Sequence, residues 1–241
     1  MITSFYEKDV FRLPFNEEIL NKSITSSIKK FSNTTPNLMY RRTPVELLDN
    51  ILMGDIAKNS LFFYLQEKSS MLFIDYDEIR EDKFINSDPG WDIKIGSSNK
   101  KIEVKSSIPT RFESYQNIIS LRDIKITAGH SYITINPNDL VADYFFQIYF
   151  YAKIYKKGYE SIHKLQEDLD KKPQIIHELL NTKKYSSPLF FSWNSKINIV
   201  NFSEELTPPT WSWPASKRIY WKCPIKFSYS LPDFFNEVEQ I

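Results

Sequence analysis

The sequence predicts a mixed α/β protein, α+β in class, with helices before and after a central β-sheet. Three observations predict it. A strong helix signature opens at Thr43. Two short segments of alternating apolar and charged residues, Trp91 to Ile95 and Lys101 to Lys105, flank the polar connection Gly96 to Lys100. After an aromatic run that begins at Tyr144, helical spacing returns from Tyr159 to Leu169 and from Pro173 to Leu180.

The elements follow in chain order. From Thr3 to Met39 the chain reads as partly helical, broken at Leu13-Pro14 and ended by Thr34-Thr35-Pro36-Asn37. Thr43-Pro44-Val45-Glu46 combines a capping hydroxyl, a proline at the first helical position and an acid where a capping box places it. Leu47, Leu48, Ile51 and Leu52 then mark a buried stripe, which Leu61, Phe62 and Leu65 resume after Gly54. Asp55 falls on that apolar face, a costly place for a carboxylate without a partner. Met71 to Ile74 reads as a strand and Asp88-Pro89-Gly90 as a turn, with Asp88 structural. The alternating pair reads as a β-hairpin. Further strands are expected at Ile118 to Ile126, Tyr132 to Ile135, Tyr144 to Ala152, Leu189 to Phe202 and Ile219 to Tyr229.

Composition excludes several classes. The chain has 241 residues, 41% of them hydrophobic and 15% aromatic, enough for one large domain or two small ones that bury their own cores. Lys and Arg number 31 against 30 Asp and Glu, so no global field advertises a polyanionic partner and any nucleic-acid footprint is local. A single cysteine, Cys223, excludes an intramolecular disulfide and every multi-cysteine zinc site, and is expected to be a small buried apolar residue. Glu7, Lys8, Asp9 and Arg12 occupy the region where a signal peptide needs an apolar run, so a cytoplasmic location is expected. The apolar stretch Tyr144 to Ala152 falls far short of the roughly 20 residues of a membrane span. Only 5 glycines occur, and neither phosphate-loop fingerprint is present.

The hairpin carries the chemistry. A side-chain period of two puts Trp91, Ile93 and Ile95 on one face and Asp92 and Lys94 on the other; Ile102 and Val104 likewise oppose Glu103 and Lys105. If both apolar faces are buried together, opposed residue numbers must sum to an odd value, with Ile93 across from Ile102 or Val104. That register sets Asp92 beside Glu103 or Lys105. Two neighbouring carboxylates repel each other or recruit a cation, and hard oxygens of this kind suit Mg²⁺, which takes one or two carboxylates. A lysine beside them can orient a water. This is equipment for metal-assisted phosphodiester hydrolysis.

Asp92, ten intervening residues, then Glu103-Val104-Lys105 resembles the PD-(D/E)xK motif of the restriction-endonuclease-like nuclease superfamily, with Trp91 where the motif's name has proline. The resemblance covers Thr43 to Ile108, and the element order fits its layout to about Leu180. It implies a restriction-endonuclease-like mixed central sheet flanked by helices. It also implies that Asp92, Glu103 and the Val104 carbonyl are metal ligands, that Lys105 assists the attacking water, and that an upstream helical acid joins them. Asp55 is the first candidate for that acid, Glu46 the second because a capping box already employs it. The implied cofactor is Mg²⁺, with Mn²⁺ as a substitute. The chain is most similar to a stand-alone type II restriction enzyme. Expected from that are a homodimer acting on double-stranded DNA, with a cognate DNA methyltransferase in the same system. Alternatives are a repair or anti-phage nuclease that reads structure or modification, and a non-cleaving DNA-binding protein on the same fold.

In this scheme residues 1–241 form a single nuclease domain with a catalytic core at about 43–180. An N-terminal helical region, 1–42, and a strand-rich C-terminal region, 181–241, are candidates for DNA recognition or dimerisation. Trp211, Trp213, Lys217 and Arg218, in a segment that interleaves aromatics with bases, and Arg111 are candidate nucleic-acid contacts, with Lys29, Lys30, Arg41 and Arg42 as further phosphate contacts. Gln147, inside the aromatic run, is expected to fix sheet packing through a hydrogen bond. His130, His163 and His177 show no metal-ligand spacing.

Overall fold

The computed structural model describes residues 4–34, 43–86, 89–96, 98–109, 113–128, 136–150, 172–181, 188–205, 209–212 and 219–239. Helix α1, Glu17–Asn33, starts where the Asn16 side chain accepts the Ile19 N–H at 2.9 Å, and it buries Ile19, Leu20 and Ile24. Helix α2, Pro44–Lys68, begins with the reciprocal capping box: Thr43 Oγ1 accepts from the Glu46 N–H at 3.2 Å, and Glu46 Oε2 accepts from the Thr43 N–H at 2.8 Å. It runs unbroken through Gly54, so the two apolar stretches belong to one helix. α2 packs along α1 and across the sheet.

Strands β1 (Phe11–Arg12), β2 (Phe73–Asp75), β3 (Ile93–Ile95), β4 (Lys101–Ser107), β5 (Tyr144–Phe150) and β6 (Pro188–Ser195) form one mixed sheet in the order β1-β6-β5-β4-β3-β2. Only β4 and β5 pair in parallel within it. Between β2 and β3 lie the single-turn helix α3, Tyr76–Ile79, and Gly90, whose φ of +87° favours glycine. The hairpin register pairs Ile93 with Ile102, an odd sum as the burial pattern requires. Both isoleucines are fully buried. β5 and β6 are buried along their whole length, as central strands covered on both faces are. Their aromatic side chains interlock: Phe146 meets Phe234 edge-on at 4.9 Å, and Trp193 stacks on Tyr229 at 5.0 Å.

Several expectations are corrected. Ile118 to Ile126 is not a strand: α4, Tyr115–Leu121, forms because Ser114 Oγ accepts the Asn117 N–H and Tyr115, Ile118 and Ile119 share a helical face. Beyond it, only isolated bridges at Asp123 and Thr127 remain. Leu189 to Phe202 divides at Ser195, where β6 ends and its hydroxyl caps α6, Lys196–Glu204. The C-terminal region is less strand-rich than expected. Besides the two-stranded ribbon of β7 (Thr210–Ser212) and β8 (Ile219–Trp221), it contains α7, Leu231–Val238, which opens on a Ser230/Asp233 capping box. Helix α5, Lys172–Asn181, agrees with the expected Pro173 to Leu180 segment and packs on α1. The expected strand at 132–135 and helix at 159–169 lie outside the described residues. Among the described residues no helix is long and apolar enough to cross a membrane.

Candidate active site

Asp92 immediately precedes β3, at the point where the hairpin opens. Its N–H donates to the Ile102 carbonyl at 2.8 Å and its own carbonyl accepts from the Tyr76 N–H at 2.9 Å, so both main-chain groups are tied to neighbouring elements. Trp91 anchors the approach by packing against Tyr76, ring centroids 4.7 Å apart. The Asp92 carboxylate then reaches past the end of β3 and accepts the Val104 N–H at 2.7 Å through Oδ2. It thereby occupies the place in the ladder that another residue of β3 would take. Burial, opposed by this hydrogen bond and reinforced by the nearby Glu103 charge, pushes its carboxyl up to about 7.

Glu103 and Lys105 flank Val104 on β4, and strand alternation puts them on one face, where they form an ion pair. Both are partly exposed. The backbone at Lys105 is held by Gln147 of β5. Its Nε2 donates to the carbonyls of Lys105 at 3.1 Å and Ile148 at 3.0 Å, while its Oε1 accepts the Lys125 N–H at 3.1 Å. Gln147 thus locks the sheet at a β-bulge between Gln147 and Ile148, the packing role expected of it.

Asp55 and Asp92, with Val104, line one cleft of about 520 Å³ whose wall also includes Lys30, Asn50 and Arg80. Glu46 remains in its capping box. Asp55 is 3% exposed and is fully engaged: Ser27 Oγ donates to Oδ2 at 2.7 Å and Lys30 Nζ to Oδ1 at 2.6 Å. Burial nonetheless raises its carboxyl, against the lowering pull of Lys30 and Lys58.

Behind the cleft runs an ion network that sequence reasoning missed. Lys30 also pairs with Asp77 at 2.9 Å. Lys58, 2% exposed, pairs with Asp75 at 2.8 Å and with Asp77. Lys22 bridges Asp75 at 2.9 Å and Glu78 at 2.6 Å. Burial works to discharge the Lys58 ammonium, but the surrounding carboxylates of Asp75, Asp55 and Asp77 outweigh it and hold its pKa above the ordinary lysine value. Asp77 is held below the usual carboxylate range, its burial outweighed by Lys58 and Lys30. One signal was available: Lys58 lies three residues after Asp55, on the same helical stripe that marked Asp55 as buried. Lys30, read as a phosphate contact, is committed to these acids.

Among the described residues no three carboxylate, histidine or cysteine side chains gather into a ready cation site. The donors present still suit Mg²⁺ in kind, since that ion uses one or two carboxylates and completes its shell with water and phosphate. Asp92 supplies one carboxylate, for among the described residues no hydrogen bond engages its Oδ1; Asp55 and Val104 line the same cleft, whereas Glu103 and Lys105, on the neighbouring face of β4, are not part of its lining. Of the proposed nucleic-acid contacts, Trp211 stands apart from the cleft on β7, half-buried and stacked on Tyr220 at 4.7 Å. Arg111, Trp213, Lys217 and Arg218 lie outside the described residues, as do Arg41 and Arg42. Cys223 is buried, and burial pushes its thiol up to about 12.

No protein-family model, curated protein or solved structure matches the chain.

Proposed function

We propose that the chain is a Mg²⁺-dependent endonuclease that hydrolyses DNA phosphodiester bonds. We take it to be a sequence-specific enzyme of the type II restriction kind, acting as a homodimer on double-stranded DNA, with a cognate methyltransferase protecting the same sites. The observation that carries the reading is the hydrogen bond from the Val104 N–H to Asp92. It joins the first acid of the motif to the residue lying between the second acid and the lysine. Further support comes from Asp55, which lines the same cleft. The element order is also that of the resembled layout: an acid-bearing helix, then a charged hairpin, then further strands and helices.

In this reading Asp92, Glu103, Asp55 and the Val104 carbonyl would hold the cation, which supplies Lewis-acid stabilisation of charge on the phosphate. The protein's own contributions follow from its contacts. Lys105 orients and polarises the attacking water, its backbone held by Gln147. Glu103 pairs with the Lys105 ammonium and aligns it. Lys30 holds the Asp55 carboxylate in one orientation. A near-neutral chain with a local cleft suits recognition through a limited set of base contacts over general attraction to phosphate.

A second reading, a non-cleaving DNA-binding protein on the same scaffold, is favoured by one observation: Asp55 and Glu103 are already neutralised by lysines. Incubating the protein with plasmid and phage DNA separates the two. Discrete fragments in Mg²⁺ that disappear in EDTA and with Asp92→Asn support the enzyme; intact DNA of every kind, modified or plain, supports the binding protein.

A further inference from the structure

We infer that a second cleft, beside the end of β4 that follows Lys105, is a pocket for a single unpaired nucleobase. The cleft has a volume of about 370 Å³, at the small end of the range for ligand sites. The inference rests on the nuclease reading for its choice of ligand source, a nucleic-acid strand, but its geometry is independent of that reading.

The lining combines what recognition of a base requires. Trp211 supplies an aromatic wall, backed by Tyr220 with ring planes 20° apart, so the indole is held rigid by a second ring. Ile108 and Leu121 contribute apolar surface, and Leu121, 73% exposed, is open to an occupant of the cleft. Arg122 and Lys125 bring positive charge to the same cleft, where a strand's phosphates would enter. Arg122 is oriented by its ion pair with Glu113.

Ser107 provides the independent polar observation. It is 2% exposed, borders the cleft, and among the described residues its hydroxyl has no hydrogen-bond partner. A buried hydroxyl without a partner carries an uncompensated desolvation cost. A base edge offers both donors and acceptors to relieve it. Asp123, also lining the cleft, spends Oδ1 on the Cys223 N–H at 2.8 Å and faces a base with acceptor character. Bare phosphate would meet this carboxylate unfavourably, which selects the base over the phosphate as occupant.

Position links this pocket to the proposed chemistry. Ser107 lies on the same strand face as Glu103 and Lys105 and two residues beyond Lys105, roughly 7 Å along β4. A strand whose phosphate lies at Lys105 can therefore place a neighbouring base, drawn out of its stack, against Trp211.

The test uses the full chain in EDTA, so that no cleavage interferes. The probes are the four deoxynucleoside monophosphates, 2-deoxyribose 5-phosphate, and a single-stranded oligonucleotide carrying 2-aminopurine. Binding is followed by ligand-observed NMR for the monophosphates and sugar phosphate, and by 2-aminopurine fluorescence for the oligonucleotide. The base-bearing probes are expected to bind, the oligonucleotide most tightly and with quenched 2-aminopurine, while the sugar phosphate does not. Trp211→Leu should weaken binding roughly 5- to 150-fold, the range for loss of one stacked base. Leu121→Glu, at an exposed position that cannot unfold the protein, should weaken it in the same direction. Lys68→Met, at an exposed ion pair away from the pocket and from the proposed catalytic residues, should leave it unchanged. Equal binding of the sugar phosphate, no effect of Trp211→Leu and Leu121→Glu, or no binding of any probe overturns the pocket. Binding of free monophosphates without the oligonucleotide overturns the strand as its source. Base binding by a protein that cleaves nothing leaves the pocket standing and removes the nuclease reading; cleavage without base binding does the reverse.

Discussion

Replacing Lys58 with methionine removes the ammonium from the interior while keeping most of its buried stem, so the loss isolates the charge. Lys58 is 2% exposed, and its ammonium serves Asp75 and Asp77 together. Removing one partner of a buried ion pair costs about 3–5 kcal/mol, because the remaining charge is left uncompensated. Here Asp75 keeps Lys22 and Asp77 keeps Lys30, so the low end applies and we expect a loss of about 3 kcal/mol. For a chain of this size that corresponds to a drop in Tm of roughly 6–12 °C. Urea unfolding monitored by circular dichroism supplies the free energy directly, with Lys68→Met as the control. Lys68 pairs with Glu67 at an exposed site, where such a change falls within about 0.5 kcal/mol of wild type. The deficit of Lys58→Met should also shrink in acid. Asp77 titrates below the usual range in the folded protein, so its stabilisation is present above the unfolded carboxylate pKa and is lost as pH falls through the folded value. A Lys58→Met variant within 1 kcal/mol of wild type near neutral pH, or a deficit that grows on acidification, would refute the network as described.

Three further predictions concern the site. Asp92 holds its proton more tightly folded than unfolded, so in EDTA the wild type should lose stability as pH rises from about 4 towards 7 and then level off; Asp92→Asn should remove that slope when melting is followed across pH. Thr43→Ala should cost about 1 kcal/mol by breaking the α2 capping box and leave cleavage intact, whereas Asp55→Asn should abolish Mg²⁺-dependent cleavage; cleavage that survives Asp55→Asn and is lost in Glu46→Gln would transfer the upstream acid to Glu46. Gln147→Leu leaves the Lys105 carbonyl and the Lys125 N–H without their side-chain partner, and should cost about 1–3 kcal/mol in denaturant unfolding while slowing cleavage by loosening β4 under Lys105.

What could be read from sequence is what neighbours along the chain determine. The start of α2 follows from four consecutive residues, and the hairpin register from the rule that Ile93 and Ile102 must share the buried side. The same short-range logic holds at Ser230-Leu231-Pro232-Asp233, which repeats the hydroxyl, proline and acid of the α2 start and opens α7. In α4 and α6 the isoleucines suited strand and helix alike, and the capping hydroxyls of Ser114 and Ser195 decide for helix. The ion network was least accessible, because Lys22 and Lys30 of α1 meet acids that follow α2 or lie within it. Asp75 and Asp77 look like ordinary exposed turn residues until those lysines are in place. At the candidate site, the alternation pattern put Glu103 and Lys105 on one face of the strand, but did not reveal that Asp92 would precede its strand and bind the Val104 N–H.

The central claim is tested most directly by measuring DNA cleavage and DNA binding in parallel for wild type and Lys105→Ala, with Mg²⁺ for cleavage and EDTA for binding. The account predicts that cleavage falls by at least about 100-fold, the scale of a lost electrostatic donor at the reacting centre, while binding stays within about threefold. Wild-type protein that cleaves no DNA, or a variant that cleaves as well as wild type, would contradict it.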